Sequence, residues 1–349
     1  MTSKQKKIAQ FNDSWVGINN GNIFGLPFDQ AESDIVLIPV TWDVTTSYAP
    51  GTANGPEAIL HASPQLDLFE PDLKDAWKNG IYMQPISLKW MDLNQSLRAK
   101  AEKCIDALES GKNIDDPELK PHYAEINKAC EELKAAVYND AQTLLQQNKL
   151  VGVVGGDHSS PLGLMEALAE KYNDYAILQI DAHADLRVAF EGFTYSHASI
   201  MYNALQIASV SKLVQVGIRD ICEAEINLIN NSHGRIKTFF DWELKEDYYN
   251  GNSWSALCDE IINELPQHVY ISFDIDGLDP KLCPNTGTPV AGGFELQQTF
   301  YLLKKIVDAG KTIIGFDLCE VTPGKDEWDG NVGARVLYKL CNLMWKSKT

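Results

Sequence analysis

Short apolar runs alternate with longer amphipathic stretches along most of the chain. The runs at 34–40 (DIVLIPV), 150–154 (LVGVV), 175–180 (YAILQI), 213–216 (LVQV), 268–273 (HVYISF) and 312–316 (TIIGF) are rich in β-branched residues. They are too short for typical helices, and their near-continuous apolarity predicts strands buried on both faces, as in a parallel sheet. Helical periodicity occupies 121–147, 161–172, 196–207, 255–265 and 296–308. Strand and helix in alternation predict an α/β fold, a three-layer α/β/α arrangement around a central, mostly parallel sheet. The chain before Leu150 is less regular. Residues 1–33 read as an N-terminal extension that packs on the surface or on a neighbouring subunit. Residues 34–349 read as a single α/β domain, with an insertion near 85–121 that carries a helix at 98–109.

Composition narrows the function. The 349 residues, 44% hydrophobic and 22% charged, fit an ordinary globular domain. With 30 basic and 48 acidic residues the formal charge is −18. That field repels phosphate backbones and anionic membranes and draws in a small cation, although solubility accounts for the acidity equally well. Seven scattered cysteines, none in a C-x-x-C pair, make neither a zinc ribbon nor a disulfide framework. Reduced thiols, no apolar segment behind the basic N-terminal residues and no run long enough for a membrane span point to the cytoplasm.

The candidate chemistry lies directly after the apolar runs. LVGVV leads into GGDHSS, YAILQI into DAHADLR, LVQV into GIRD, HVYISF into DIDGLDP and TIIGF into DLCEVTP. A single run ending in Asp reads as a helix N-cap. Several strand ends, each with more acid and imidazole than a cap needs, describe a ligand site at the carboxyl edge of a sheet. In Asp181-Ala182-His183-Ala184-Asp185 the polar side chains occupy alternate positions, which an extended backbone points to one side. Asp274 and Asp276 repeat the spacing, and His158 follows a Gly155-Gly156 pair suited to a tight turn. Four carboxylates crowded beside two imidazoles are prohibitive without cations. Two divalent ions balance them and activate a bridging water, and oxygen and nitrogen donors without thiolate suit Mn²⁺, Mg²⁺, Fe²⁺ or Ni²⁺. Such a centre also serves phosphatases, nucleases and deacetylases, so the ligands alone do not name a substrate.

Taken together, GGDHS at 155–159, DAHAD at 181–185, SFDIDGLDP at 272–280, GTPVAGG at 287–293 and the pair Asp317 and Glu320 resemble the ureohydrolase superfamily of arginase, agmatinase, guanidinobutyrase and formiminoglutamase. TSYAPGTANGPEAI at 46–59 resembles the family's early G-x-x-x-G-P loop, and the likeness extends from about Val36 to Leu340. The resemblance implies two divalent ions, Mn²⁺ or Ni²⁺. One would sit on His158, Asp181, Asp185 and Asp274. The other would sit on His183, Asp181, Asp274 and Asp276, with a hydroxide shared at the bridging Asp181 and Asp274. It further implies that Glu320 pairs with a guanidinium and that His197 carries a proton to the departing amine. The ordinary alternatives are a strand-end acid and a histidine satisfied near a helix start. His61, His122, His233 and His268 lie in no motif and read as structural or exposed. A homo-oligomer, trimer or hexamer, is implied by resemblance only.

Substrate specificity belongs to the loops around the metals. Here the loop after DAHAD reads LRVAFEGFTY, and Cys222 stands where arginases carry a substrate-contacting Asp, while Glu225 keeps the matching Glu. Arginine is therefore disfavoured. Arg187 resembles the formiminoglutamase arginine that meets a carboxylate. Phe190, Phe193 and Tyr195, with Trp42, suggest a bulky pocket for a substrate with little tail, although these rings suit loop packing equally well. Agmatinase-like cleavage of a guanidino compound to urea leads, with the nickel-using guanidine hydrolase branch beside it. Formiminoglutamase, guanidinobutyrase, arginase, a single-zinc deacetylase and a non-catalytic paralogue remain as further readings.

Overall fold

The computed structural model describes residues 1–348. Its eight strands are β1 Ile35–Val40, β2 Ile81–Met83, β3 Leu150–Gly155, β4 Tyr175–Ile180, β5 Val210–Ile218, β6 Ile236–Phe240, β7 His268–Asp274 and β8 Thr312–Cys319. They form one sheet in the order β2-β1-β3-β8-β7-β4-β5-β6, and every pairing is parallel.

Alternate residues of each strand enter two separate cores. From β1, Ile35 and Leu37 join one core while Val36, Ile38 and Val40 join the other. Helices Trp254–Asn263, Leu296–Asp308 and Trp328–Lys346 cover the first face. Leu88–Glu109, Lys120–Gln146, Leu162–Ala169 and Ile200–Ala204 cover the second. Both faces are dry, which is why the strands are apolar throughout rather than alternating. Each fully buried aliphatic side chain contributes about 1.5–3 kcal/mol, so the double coverage is the main source of stability. These are the three layers that the pattern predicts.

Several elements differ from the pattern. The edge strands β2 and β6 are too short or too polar to stand out in the sequence. Helix Leu88–Glu109 starts ten residues before the predicted 98. Residues 196–207, predicted as one helix, divide into a 3₁₀ turn at His197–Ser199 and a short helix at Ile200–Ala204. The extension is half surface and half core: helix Ser3–Gln10 has no fully buried residue and packs on the core only through half-buried Ile8, whereas Ile23, Phe24, Leu26 and Phe28 are buried in the core that holds Trp77 and Tyr338. Among the described residues, no helix is long and apolar enough to cross a membrane.

Candidate metal centre

Strands β3, β8, β7, β4 and β5 lie side by side, so five polar strand ends meet at one edge of the sheet. After β3, Gly156 passes so close to the end of β1 that a Cβ there would sit 2.1 Å from the Trp42 carbonyl oxygen. Its N–H donates to Val40 and that of Asp157 to Trp42. This turn carries His158 over the neighbouring strand, where its backbone N–H donates to Glu320 Oε1 at 2.9 Å. After β4 the chain is bridged at His183 to Asp220 and then turns left-handed at Asp185. Asp181, His183 and Asp185 therefore face the site while Ala182 and Ala184 are buried. After β7, Asp274 Oδ1 accepts the Asp276 N–H at 2.9 Å and turns that second acid inward.

Two of these residues are left-handed, Asp185 at φ 53° and Glu320 at φ 65°. Such conformations cost about 1–3 kcal/mol each and persist only where the surroundings hold them. Glu320 is held by its N–H to Gly156 and by Thr286 Oγ1 on its carbonyl. Asp185 is held by the N–H groups of Met201 and Tyr202 on its carbonyl.

His158 Nδ1 lies 3.1 Å from Asp181 Oδ2, 2.9 Å from Asp185 Oδ2 and 3.3 Å from Asp274 Oδ2, yet it hydrogen-bonds to none of them. Its other nitrogen, Nε2, is 2.8 Å from Ser272 Oγ, and that hydroxyl donates to Asp317 Oδ2 at 2.9 Å. Ser272 therefore accepts from Nε2–H, so Nδ1 is the ring atom that faces three carboxylates, where either a proton or a metal ion can sit. An ion pair would place a proton there. Donors each about 2.1 Å from a shared ion stand roughly 3 Å apart, as these do. His183 Nδ1 is likewise 3.0 Å from Asp276 Oδ2, another buried atom without a hydrogen-bond partner. Among the described residues two groups have metal-holding geometry, His158–Asp181–Asp185 and Asp181–His183–Asp276, with Asp181 in both. The donors fit two metal ions. Asp274 borders the first group, with its Oδ1 already given to Asp276.

The electrostatics agree. Burial and then the Asp181 charge push Asp185 up to about 7. Burial, Asp276 and Asp181 push Asp274 well above the ordinary carboxylate range. Burial opposes charge on His158 and His183, but the surrounding carboxylates raise both far above an ordinary imidazole. Against burial, His158 and His183 hold Asp181 down, alone among the shifted acids of the cluster; the rises at Asp185 and Asp274 mark excess negative charge that cations would relieve.

A buried relay supports Asp181. Thr238 Oγ1 donates to Gln215 Oε1, Gln215 Nε2 to Gln179 Oε1, and Gln179 Nε2 to Asp181 Oδ2, at 2.8, 2.7 and 2.7 Å. Sequence reasoning assigned no role to Gln179, Gln215, Ser272 or Asp317. A signal existed for the glutamines, each a lone amide inside an apolar run.

His158, His183, Asp185 and Asp274 open onto a cavity of about 160 Å³ that also reaches Ser47, Arg187, Phe190, His197, Glu225 and Glu320. Ser47 Oγ is 3.4 Å from His197 Nε2, and Ser196 Oγ is 3.3 Å from Nδ1. Burial, and then the His183 charge, hold His197 neutral by pushing its pKa down to about 3. Burial and the Asp157 charge push Glu320 well up, and a cation seated against it would offset both effects. The Arg187 guanidinium stacks 4.6 Å from the Phe190 ring centre. Glu225 gives both carboxylate oxygens to backbone, to Leu186 at 3.0 Å and Cys222 at 3.1 Å, so it shapes the loop from within.

Other residues singled out from the sequence lie elsewhere. Trp42 is fully buried in the core, edge-on to Trp90. Tyr195 lies under Lys134, and Phe193 packs against Tyr123. Neither these three rings nor His61, His122, His233 and His268 line the cavity. The aromatic wall read from the sequence reduces to Phe190.

Comparison with known proteins follows the same line. The Arginase family profile matches residues 33–342. An N(1)-aminopropylagmatine ureohydrolase of Thermus thermophilus is 31% identical over 319 residues, 91% of this chain and 92% of that protein. An agmatinase of Bacillus cereus is 26% identical over 300 residues, 85% of this chain and 87% of that one. The structure of proclavaminate amidino hydrolase from Streptomyces clavuligerus superposes with a TM-score of 0.71 at 22% identity, covering 96% of this chain and 100% of the other, and so shares its fold.

Proposed function

We propose that this chain, which belongs to the arginase family and is therefore a hydrolase of C–N bonds in linear amidines, cleaves a small guanidino compound and releases urea in the manner of an agmatinase. The observation that carries this reading is convergence: both metal-holding groups, Glu320 and His197 open on one cavity.

In this reading His158, Asp181, Asp185 and Asp274 hold one divalent metal ion, and His183, Asp181, Asp274 and Asp276 hold the other, Mn²⁺ or Ni²⁺. When bound, the pair supplies Lewis acidity and an activated water. The remaining work belongs to side chains. Glu320, with one oxygen fixed by the His158 N–H, offers the cavity a carboxylate that orients the planar guanidinium through N–H donors. His197, neutral at rest, takes up a proton at Nε2 and returns it to the departing nitrogen. Phe190 and Arg187 bound the tail of the substrate, while Tyr195, Trp42 and Glu225 act through packing and loop shape. The relatives named for agmatine and aminopropylagmatine support a guanidino group without an amino-acid head, and Cys222 counts against arginine.

One observation favours a second reading. The Arg187 side chain, stacked on Phe190 and ion-paired with Glu225 at 3.9 Å, narrows the cavity where a substrate tail would lie, which suits free guanidine with Ni²⁺. The enzyme acts as a cytoplasmic homo-oligomer, a trimer or hexamer, in either case.

The test is product release from agmatine, guanidine, 4-guanidinobutyrate, arginine and formiminoglutamate, with Mn²⁺ or Ni²⁺, following urea and, for the last, formamide. Turnover of agmatine or guanidine to urea supports the two readings respectively. Absence of product from every substrate with both metals would overturn them.

A further inference from the structure

Loop 43–54 forms one wall of the cavity through Ser47, and it is held from behind by helix Leu88–Glu109, within the segment that the sequence sets apart as an insertion. Two residues one helical turn apart do this, as i, i+4 spacing allows. Asn94 pairs reciprocally with Asp43: its Nδ2 donates to Asp43 Oδ1 and its Oδ1 accepts the Asp43 N–H, both at 2.8 Å. Asp43 Oδ2 in turn accepts the N–H groups of Gly51 and Ala53, closing the loop on itself. Arg98 then draws three carbonyls of this loop onto a single nitrogen, Nη1, which donates to Asp43 O at 3.4 Å, Val44 O at 3.1 Å and Thr46 O. Its side chain is only 13% exposed. Three carbonyls facing one another repel, so this curl of backbone needs the cation at its centre. The next residue is Ser47, whose hydroxyl meets His197 Nε2.

We infer that Arg98 is a positioning residue for hydrolysis: by gathering the carbonyls of Asp43, Val44 and Thr46 it fixes the loop that presents Ser47 to His197 Nε2. The inference rests on His197 as the proton carrier. Arg98 neither lines the cavity nor belongs to the metal-holding groups; its charge also reaches His197 through space, so a substitution that keeps the charge separates that effect from the hold on the loop. A displacement of about 1 Å in a group that meets the proton carrier can cost up to about 100-fold in rate.

The experiment is a double-mutant cycle on the metal-loaded enzyme with Arg98→Met, Ser47→Ala and their combination, with His197→Ala in parallel. Arg98→Met is expected to lower kcat by about tenfold or more while KM stays within about threefold. In the Ser47→Ala background the same change should cost less than about threefold. The imidazole nitrogen resonances of His197 should move in Arg98→Lys, which keeps the charge but loses the reach to the carbonyls, as well as in Arg98→Met. Should Arg98→Met fail to fold, Arg98→Lys is carried through the same cycle. A normal kcat, or an equal loss in both backgrounds with unmoved His197 resonances, overturns the inference. Normal turnover in His197→Ala instead refutes the proton-carrier reading beneath it.

Discussion

The His158 backbone N–H donates to Glu320 Oε1 at 2.9 Å across 162 residues of sequence. A residue whose ring would hold a metal ion thereby fixes, with its backbone, the acid that would orient the substrate. A shift in the turn after β3 moves both together.

This contact separates holding Glu320 from using it. Glu320→Gln keeps an oxygen that can accept the His158 N–H, so fold and metal content should be unchanged. It removes the charge offered to a guanidinium, and kcat/KM should fall by about 100-fold or more, in the range of a lost charged partner at a reacting centre. Urea release and metal analysis on one preparation check this. Near-normal kcat/KM would remove Glu320 from substrate binding.

The Gln179 amide donates to Asp181 Oδ2 at 2.7 Å and lies outside the cavity. Gln179→Leu should weaken metal binding by about 10–100-fold, the usual effect of removing a group that orients a metal ligand. Activity should return at saturating metal. Titration of the metal-free protein measures it, and unchanged affinity would mean that the relay is only packing.

Asp274 sits in the crowded acid cluster with its pKa well raised by burial and by Asp276 and Asp181. Asp274→Asn preserves the oxygen that accepts the Asp276 N–H while removing one charge. Chelation should lower the melting temperature of the wild type markedly, because metal binding stabilises the folded state. The metal-free variant should melt above the metal-free wild type, yet bind metal poorly and turn over negligibly. The reverse order of melting temperatures would contradict the repulsion inferred for this cluster.

His197 has its pKa lowered from 6.5 to about 3, chiefly by burial. The folded state resists a proton that the unfolded state accepts, so this contribution to stability is complete above pH 6.5 and drains away as pH falls towards 3. His197→Gln removes that dependence. Between pH 6 and 4 the wild type should lose about 1.4 kcal/mol per pH unit more than the variant in denaturant titrations. Parallel stability curves would show that His197 is solvated in the folded protein.

The interior strands and the donor residues were legible because each rests on local pattern. An apolar run such as YAILQI marks a buried strand, and D-A-H-A-D marks three side chains on one side of extended backbone. What resisted reading depends on neighbours. The edge strand β2, only three residues long, exists because β1 offers it hydrogen-bond partners at Ile35–Leu37. Helix Trp328–Lys346 has polar residues at helical spacing (Asn331, Arg335, Lys339, Asn342, Lys346), yet Lys339 and Asn342 are themselves buried, and Gly330 passes so close to the Gly55–Ala62 helix that a Cβ would sit 2.8 Å from Ala58 O. Trp42 and Tyr195 seemed pocket residues because they flank motifs, but proximity along the chain does not say which side a ring turns to.

By itself, then, the sequence determined the layered α/β class and the set of acids and imidazoles at the strand ends, since both follow from the period of side-chain direction along an extended chain. Only the tertiary structure decided that β8 lies between β3 and β7, which brings Glu320 to His158 and Asp317 to Ser272. It also decided that helix Leu88–Glu109 reaches back to the loop carrying Ser47. Strand order and helix docking are set by how whole apolar faces fit together, and no local stretch of sequence encodes that fit.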